Sequence, residues 1–291
     1  MHFLLSLSPR LVQLATVALL AALGCAAQSR SLPALTTPAT NEHRTGEFVW
    51  FDLLVDEPAE AKTFYGKLFG WTFEPLGDGD YDTIVHAGRP IGGVIEHAPE
   101  NDTEPDDIWL PSLSVADVDG AVKRAQSDGG AVVMEPRAVG ARGRVAILED
   151  PEGATFAVMR SQAGDPASMK ATAGDFVWVQ LWSRDHEVPV RFYDDVAGWN
   201  VGEVLQHDEV EEGFFETEGK EVASVIELPW NNVHPHWLPY IGVDDVDASV
   251  ERAQELGGRL LVRGKHVAII QDPKGAAVGL SPITAQEGSN R

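Results

Sequence analysis

Hydrophobic and polar positions run through this chain in two alternating periods. Residues Phe48 to Val55 are rich in aromatic and β-branched side chains and predict a strand. From Pro58 to Leu68 the apolar Ala61, Phe64, Tyr65 and Leu68 recur at helical spacing, with Pro58 suited to the first turn and Gly70 to the stop. Three short strands are predicted next, over Thr72 to Glu74, Tyr81 to His86 and Ile91 to Ile95, parted by Gly and Asp clusters. The order then begins again: a strand from Trp109 to Val115, a helix from Val118 to Gln126, and strands near Ala131 to Met134, Arg144 to Leu148 and Ala154 to Met159.

Both rounds recur farther along. Gly46-Glu47-Phe48-Val49-Trp50 returns 128 residues later as Gly174-Asp175-Phe176-Val177-Trp178, and Phe64-Tyr65 with Gly70-Trp71 returns as Phe192-Tyr193 with Gly198-Trp199. Trp109-Leu110-Pro111 matches Trp237-Leu238-Pro239 at the same distance, after which the second copy runs six residues short, Asp150-Pro151-Glu152-Gly153 being answered by Asp272-Pro273-Lys274-Gly275. Trp50 and Trp109 are 59 residues apart, as are Trp178 and Trp237, so each copy divides again into two like halves. Four βαβββ modules of α+β class result, grouped in domains 46–161 and 174–283 with a linker at 162–173 and a tail at 284–291. Whether the modules sharing a sheet belong to one copy or are exchanged between copies is open at this point.

That order, with Phe-Tyr at the end of the first helix, Gly-Trp after it and Asp-Pro-x-Gly before the last strand, resembles the vicinal oxygen chelate superfamily of glyoxalases, extradiol dioxygenases and bleomycin-binding proteins. The closest likeness is to the glyoxalase-like branch, through Trp50-Phe51-Asp52-Leu53. The resemblance covers Gly46 to about Pro282 and implies two half-open sheets, each cupped around a ligand cavity. It also implies which strand faces line the cavities. Strand alternation puts Trp50, Asp52 and Leu54 on one face, and Trp178, Gln180 and Trp182 on the matching face of the second copy.

In metal-using members of that superfamily, side chains from the first, fifth and last strands converge on a divalent ion. The fifth-strand positions here hold Leu110 and Ser112, and in the second copy Leu238 and Tyr240; the last-strand acid is replaced by Ala157 and Gly279. Three or four N, O or S donors make a transition-metal site, and each cavity retains at most Asp52 or Gln180. No metal residue and no cofactor is therefore assigned, a divalent ion through other ligands being the alternative. His234 and His236, two apart at the start of the fifth strand of the second copy, are the pair to watch; Asp106 and Ile108 stand in the first. A solvated pair is the simpler expectation.

Candidate ligand-binding residues are Trp50, Asp52, Trp109, Ser112, Trp178, Gln180, Trp237 and Tyr240. Asp52 is the candidate catalytic residue: a carboxylate flanked by Trp50 and Phe51 on a half-buried strand is desolvated, which raises its pKa and suits a general base. The competing reading has Asp52 accept backbone or indole hydrogen bonds and close the barrel, a role Gln180 also fills. Trp71, Trp199, Tyr65 and Tyr193 fit a structural role. Arg142 and Arg144, and Arg263, Lys265 and His266 in the equivalent hairpin, read as solvated tips.

A formal charge of −23, from 22 basic and 45 acidic residues, argues against nucleic acid and anionic lipid surfaces as partners. The single cysteine, Cys25, excludes an internal disulfide. It follows Arg10, an apolar run from Leu11 to Leu23, and Gly24. That arrangement reads as a signal peptide over 1–25 with an ending that resembles a lipobox, making Cys25 the lipidation site. Residues 26–45, rich in Ser, Pro, Thr and Ala, read as a flexible tether. The expected place is the periplasmic face of the outer membrane or the cell envelope, with a soluble periplasmic or secreted form as alternative; the membrane is met only through the anchor. The expected function is metal-free binding of a small organic molecule in an aromatic cleft. The alternatives are a lyase or isomerase-like or metal-dependent enzyme with Asp52 as base, and an envelope scaffold with filled cavities.

Overall fold

The computed structural model describes residues 31–283 apart from 78–80, 98–106, 186, 208–209, 229 and 231–232. The predicted signal peptide, Cys25 and the tail from 284 lie outside the described residues. The first unit comprises β1 (Phe48–Val55), α1 (Pro58–Phe69), β2 (Thr72–Pro75), β3 (Tyr81–His86), β4 (Arg89–Glu96), β5 (Ile108–Ser114), α2 (Val118–Ser127), β6 (Ala131–Ala138), β7 (Gly143–Glu149) and β8 (Thr155–Ser161). The second comprises β9 (Phe176–Ser183), α3 (Glu187–Ala197), β10 (Asn200–His207), β11 (Val210–Thr217), β12 (Lys220–Glu227), β13 (His236–Val243), α4 (Val246–Glu255), β14 (Arg259–Arg263), β15 (Ala268–Gln271) and β16 (Ala277–Pro282). Pro58 begins α1, and Gly70 stops it at φ 73°, a left-handed turn that costs glycine least.

Each unit forms its own eight-stranded sheet, ordered β2-β3-β4-β1-β5-β8-β7-β6 and β10-β11-β12-β9-β13-β16-β15-β14. The modules therefore pair within a unit, through the antiparallel contacts β1–β5 and β9–β13. The first sheet is strongly curled. Tyr81 on β3 and Arg142, just before β7, stand five strand steps apart, about 24 Å on a flat sheet, yet the guanidinium donates to the Tyr81 hydroxyl at 2.7 Å.

One face of each sheet, with helices α1 to α4, builds a single core shared by both units. It includes Phe51, Leu53, Val55, Phe64 and Trp109 from the first and Val179, Leu181, Phe192 and Trp237 from the second. The repeated motifs cross-link the units reciprocally. The Trp71 indole donates to the Gly174 carbonyl and Trp199 to that of Gly46, both at 2.7 Å. Tyr65 donates to Asp272 at 3.1 Å and Tyr193 to Asp150 at 3.3 Å. Each tyrosine in turn accepts from an indole, Trp109 or Trp237.

Residues 31–45 correct the expectation of a flexible tether. Leu35, 1% exposed, packs on Val49, Trp50 and Met159. The Asn41 amide donates to the Ala163 carbonyl (3.0 Å) and the Asp165 amide to the Glu42 carbonyl (2.7 Å). The buried Asp165 carboxylate accepts from the Arg44 amide (2.8 Å) and from the hydroxyls of Ser114 (2.6 Å) and Ser161 (2.5 Å). The 162–173 linker thus clasps this strap to the first sheet. One leucine and one carboxylate outweigh a composition that otherwise favours disorder.

Candidate functional site

The helix-free faces of the two sheets hold the predicted cavity residues, and they differ. In the first, Asp52 is buried and fully engaged. Its Oδ1 accepts from the Trp50 indole (2.9 Å) and the Tyr81 hydroxyl (3.1 Å), and its Oδ2 lies 3.5 Å from Arg142 Nη1. The Arg142 guanidinium sits 4.7 Å from the Trp50 ring centroid, a cation–π distance. Gly93 pairs with Asp52 across the sheet, and a Cβ there would overlap both the Tyr81 hydroxyl and the carboxylate. Burial pushes the Asp52 pKa up and the Arg142 charge pulls it back. Arg142 is 3% exposed, which corrects the solvated-tip reading. Its amide and guanidinium hold the strap carbonyls of Leu32 and Pro33, while its neighbour Arg144 does sit in solvent, paired with Asp119. Ser112 is buried opposite Trp50 and beside Ala157, and Leu54, Leu110, Met134 and Ile147 fill the rest of the face.

In the second unit Gln180 takes the place of Asp52, and its surroundings change with it. Its Oε1 accepts from the Trp182 indole and the Tyr240 hydroxyl, both at 2.9 Å. Its Nε2 donates to Glu212 (2.7 Å) and Ser224 (3.3 Å). Sheet register makes Glu212 and Ser224 the counterparts of Tyr81 and Gly93. The amide needs acceptors that a carboxylate does not, and the copy supplies them.

The six missing residues of the second copy fall in the β14–β15 hairpin, whose strands have five and four residues against eight and seven in β6 and β7. The helical turn Gly140–Arg142 has no counterpart there, and Arg263 pairs with Asp247 at the surface. Among the described residues no buried guanidinium or strap covers this face, and it is more open. Trp178, copy of the buried Trp50, is only partly buried, and its indole donates to Ser224 at 2.9 Å. Trp182 lies near-parallel to Trp230, with centroids 5.8 Å apart, and Trp230 is 42% exposed. The His236 ring also lies against Trp182, at 5.9 Å.

Trp109 and Trp237 do not line either face. Strand alternation turns them into the shared core, where their indoles meet Tyr65 and Tyr193. Of the eight candidate binding residues, the structure gathers Trp50, Asp52 and Ser112 on one helix-free face and Trp178, Gln180 and Tyr240 on the other. Trp230, Glu212 and Tyr81 were not singled out in the sequence; only Trp230, a tryptophan in the stretch Pro-Trp-Asn-Asn, gave a signal there.

Two family models match the chain. The Glyoxalase/Bleomycin resistance protein/Dioxygenase superfamily model covers residues 47–158, and the Glyoxalase-like domain model covers 178–280. The anthracycline biosynthesis protein DauV of Streptomyces sp. (strain C5) is 32% identical over 263 residues, 83% of this chain and 94% of that protein. The chain belongs to the glyoxalase superfamily. The putative glyoxylase CFP32 of Mycobacterium bovis is another relative, 28% identical over 82% of this chain and 95% of its own length. Among solved superfamily structures, the Mn(II)-bound glyoxalase from Novosphingobium aromaticivorans superposes with a TM-score of 0.60 at 19% identity, covering 82% of this chain and 83% of its own. The 2,2',3-trihydroxybiphenyl 1,2-dioxygenase of Sphingomonas wittichii RW1 does so with a TM-score of 0.57 at 14% identity, covering 81% and 90%.

A divalent ion of the kind the superfamily uses does not fit the residues at these positions. Ala157 and Gly279 carry no donor atom, and Tyr240 lies where a side chain at 279 would stand. Asp52 already faces a guanidinium, which repels a second cation. His236 points its Nδ1 at the His234 carbonyl (2.8 Å) and His234 is exposed. Among the described residues no three His, Cys, Asp or Glu side chains are grouped for a metal.

Proposed function

We propose that this chain is an exported, lipid-anchored binding protein that holds a small planar aromatic molecule on the helix-free face of its second unit, without a metal ion. The observation that carries this reading is the near-parallel Trp182–Trp230 pair with Trp230 42% exposed, an aromatic shelf on the less occluded face. Kinship with proteins named for anthracycline biosynthesis supports it, anthracyclines being fused-ring aromatics. The first unit serves as scaffold, its face filled by Leu35, Trp50 and Arg142. Against the enzyme alternative stands the commitment of both Asp52 oxygens to internal partners.

Calorimetric titration with naphthalene tests the reading. Saturable binding is expected, weakened roughly tenfold by Trp230→Ala because a stacking face and its buried area are lost together. Absence of binding to the unaltered protein, or an unchanged affinity in the variant, overturns it.

A further inference from the structure

Among the described residues, His236 brings an unused hydrogen-bond acceptor to the second face, beside its aromatic pair. It begins β13 directly opposite Trp182, and its ring lies 28° from the plane of that indole. Its Nδ1 is 2.8 Å from the His234 carbonyl. A carbonyl only accepts, so Nδ1 carries the proton and the neutral ring presents Nε2 as a bare lone pair. Nε2 has no hydrogen-bond partner among the described residues. Burial lowers the His236 pKa, so the ring stays neutral and the lone pair free. The corresponding first-unit residue is Ile108, on the face that is filled. Acceptor and aromatic shelf therefore occur together, on the copy whose hairpin is short.

We infer that His236 Nε2 is the acceptor for a hydrogen-bond donor on the bound molecule, which makes the ligand class a planar aromatic carrying a hydroxyl or ring N–H at its edge. This rests on the binding function proposed above and narrows it. The protein's charge of −23 disfavours anionic aromatics and leaves neutral donors such as phenols as the fitting members.

The probes are 2-naphthol and 2-methoxynaphthalene, equal in ring system and differing in the donor hydrogen. Calorimetry on the full chain is expected to give 2-naphthol the tighter binding by about three- to tenfold, the range of one net hydrogen bond. His236→Phe keeps a ring against Trp182 and is expected to bring the two affinities together by weakening only 2-naphthol. His236→Gln, which restores an acceptor, is expected to recover part of the preference and guards against a misfolded Phe variant. Trp230→Ala should weaken both probes alike. If both probes bind equally to the unaltered protein, or if the preference survives in His236→Phe, this inference is wrong while the aromatic site stands. If neither probe binds, the site itself is wrong.

Discussion

The meeting of Asp52 with Arg142 makes the first unit's interior electrostatically self-contained. Two charges removed from water are held by each other, by the Trp50 indole and by the Tyr81 hydroxyl. Breaking such a pair from one side leaves an uncompensated buried charge. Arg142→Met is therefore expected to cost about 3–5 kcal/mol of unfolding free energy, and adding Asp52→Asn to it should recover a large part of the loss. Urea melts of the two singles and the double check this; an Arg142→Met variant as stable as the parent would mean the pair is not structural. Sequence alone left Asp52 between a base and a barrel-closing acceptor because the deciding residue is 90 positions away. Nothing local to Arg142 distinguishes it from exposed Arg144.

At the scale of elements, most boundaries were legible. β1 and β3 begin and end where the hydrophobic pattern puts them, and both first-unit helices end within a residue of it. Strand alternation also sorted Trp50 and Trp178 correctly. The same alternation turns Trp109 and Trp237 to the opposite face from Leu110 and Leu238, so their candidacy for the cavities rested on residue type and not on register. The six-residue shortening of the second copy was visible too, but its meaning needed the fold: the lost residues include the turn that carries Arg142. The strap was illegible, since its hold depends on Leu35 finding a gap beside Trp50 and on Asp165 far along the chain. Its packing has a consequence for anchoring. If Cys25 is lipidated, only residues 26–30 separate the anchor from the strap, a reach of about 20 Å at full extension, so the first unit is kept against the bilayer. Cys25→Ser is expected to move the protein from the membrane to the soluble fraction on cell fractionation; unchanged membrane association would remove the anchor from the account.

For the whole molecule, the repeated motifs are best understood as the joint between the units. Phe-Tyr, Gly-Trp and Asp-Pro-x-Gly each reach across to the other copy, so they persist in both while the face residues diverge. Beside this joint lies Asp107, 2% exposed, with one carboxylate oxygen unpaired and the other receiving the Asp56 amide at 3.4 Å. Burial first, then the like charge of Asp272 and, less, that of Asp56 push its pKa up to about 7, against the Asp56 amide hydrogen bond and the smaller pull of Lys274. Across the joint, burial likewise holds Asp150 up at about 6. Each of these acids keeps its proton in the fold at pH values where the unfolded chain, ionising near 4, has lost it. The stability they lend is thus complete below about pH 4 and is lost as the pH rises through 6 to 7. Urea midpoints are expected to fall between pH 4.5 and 7.5. Asp107→Asn, which stays neutral throughout, should flatten that slope and be more stable than the parent at pH 7.5; an unchanged slope would show that Asp107 is already ionised in the folded joint.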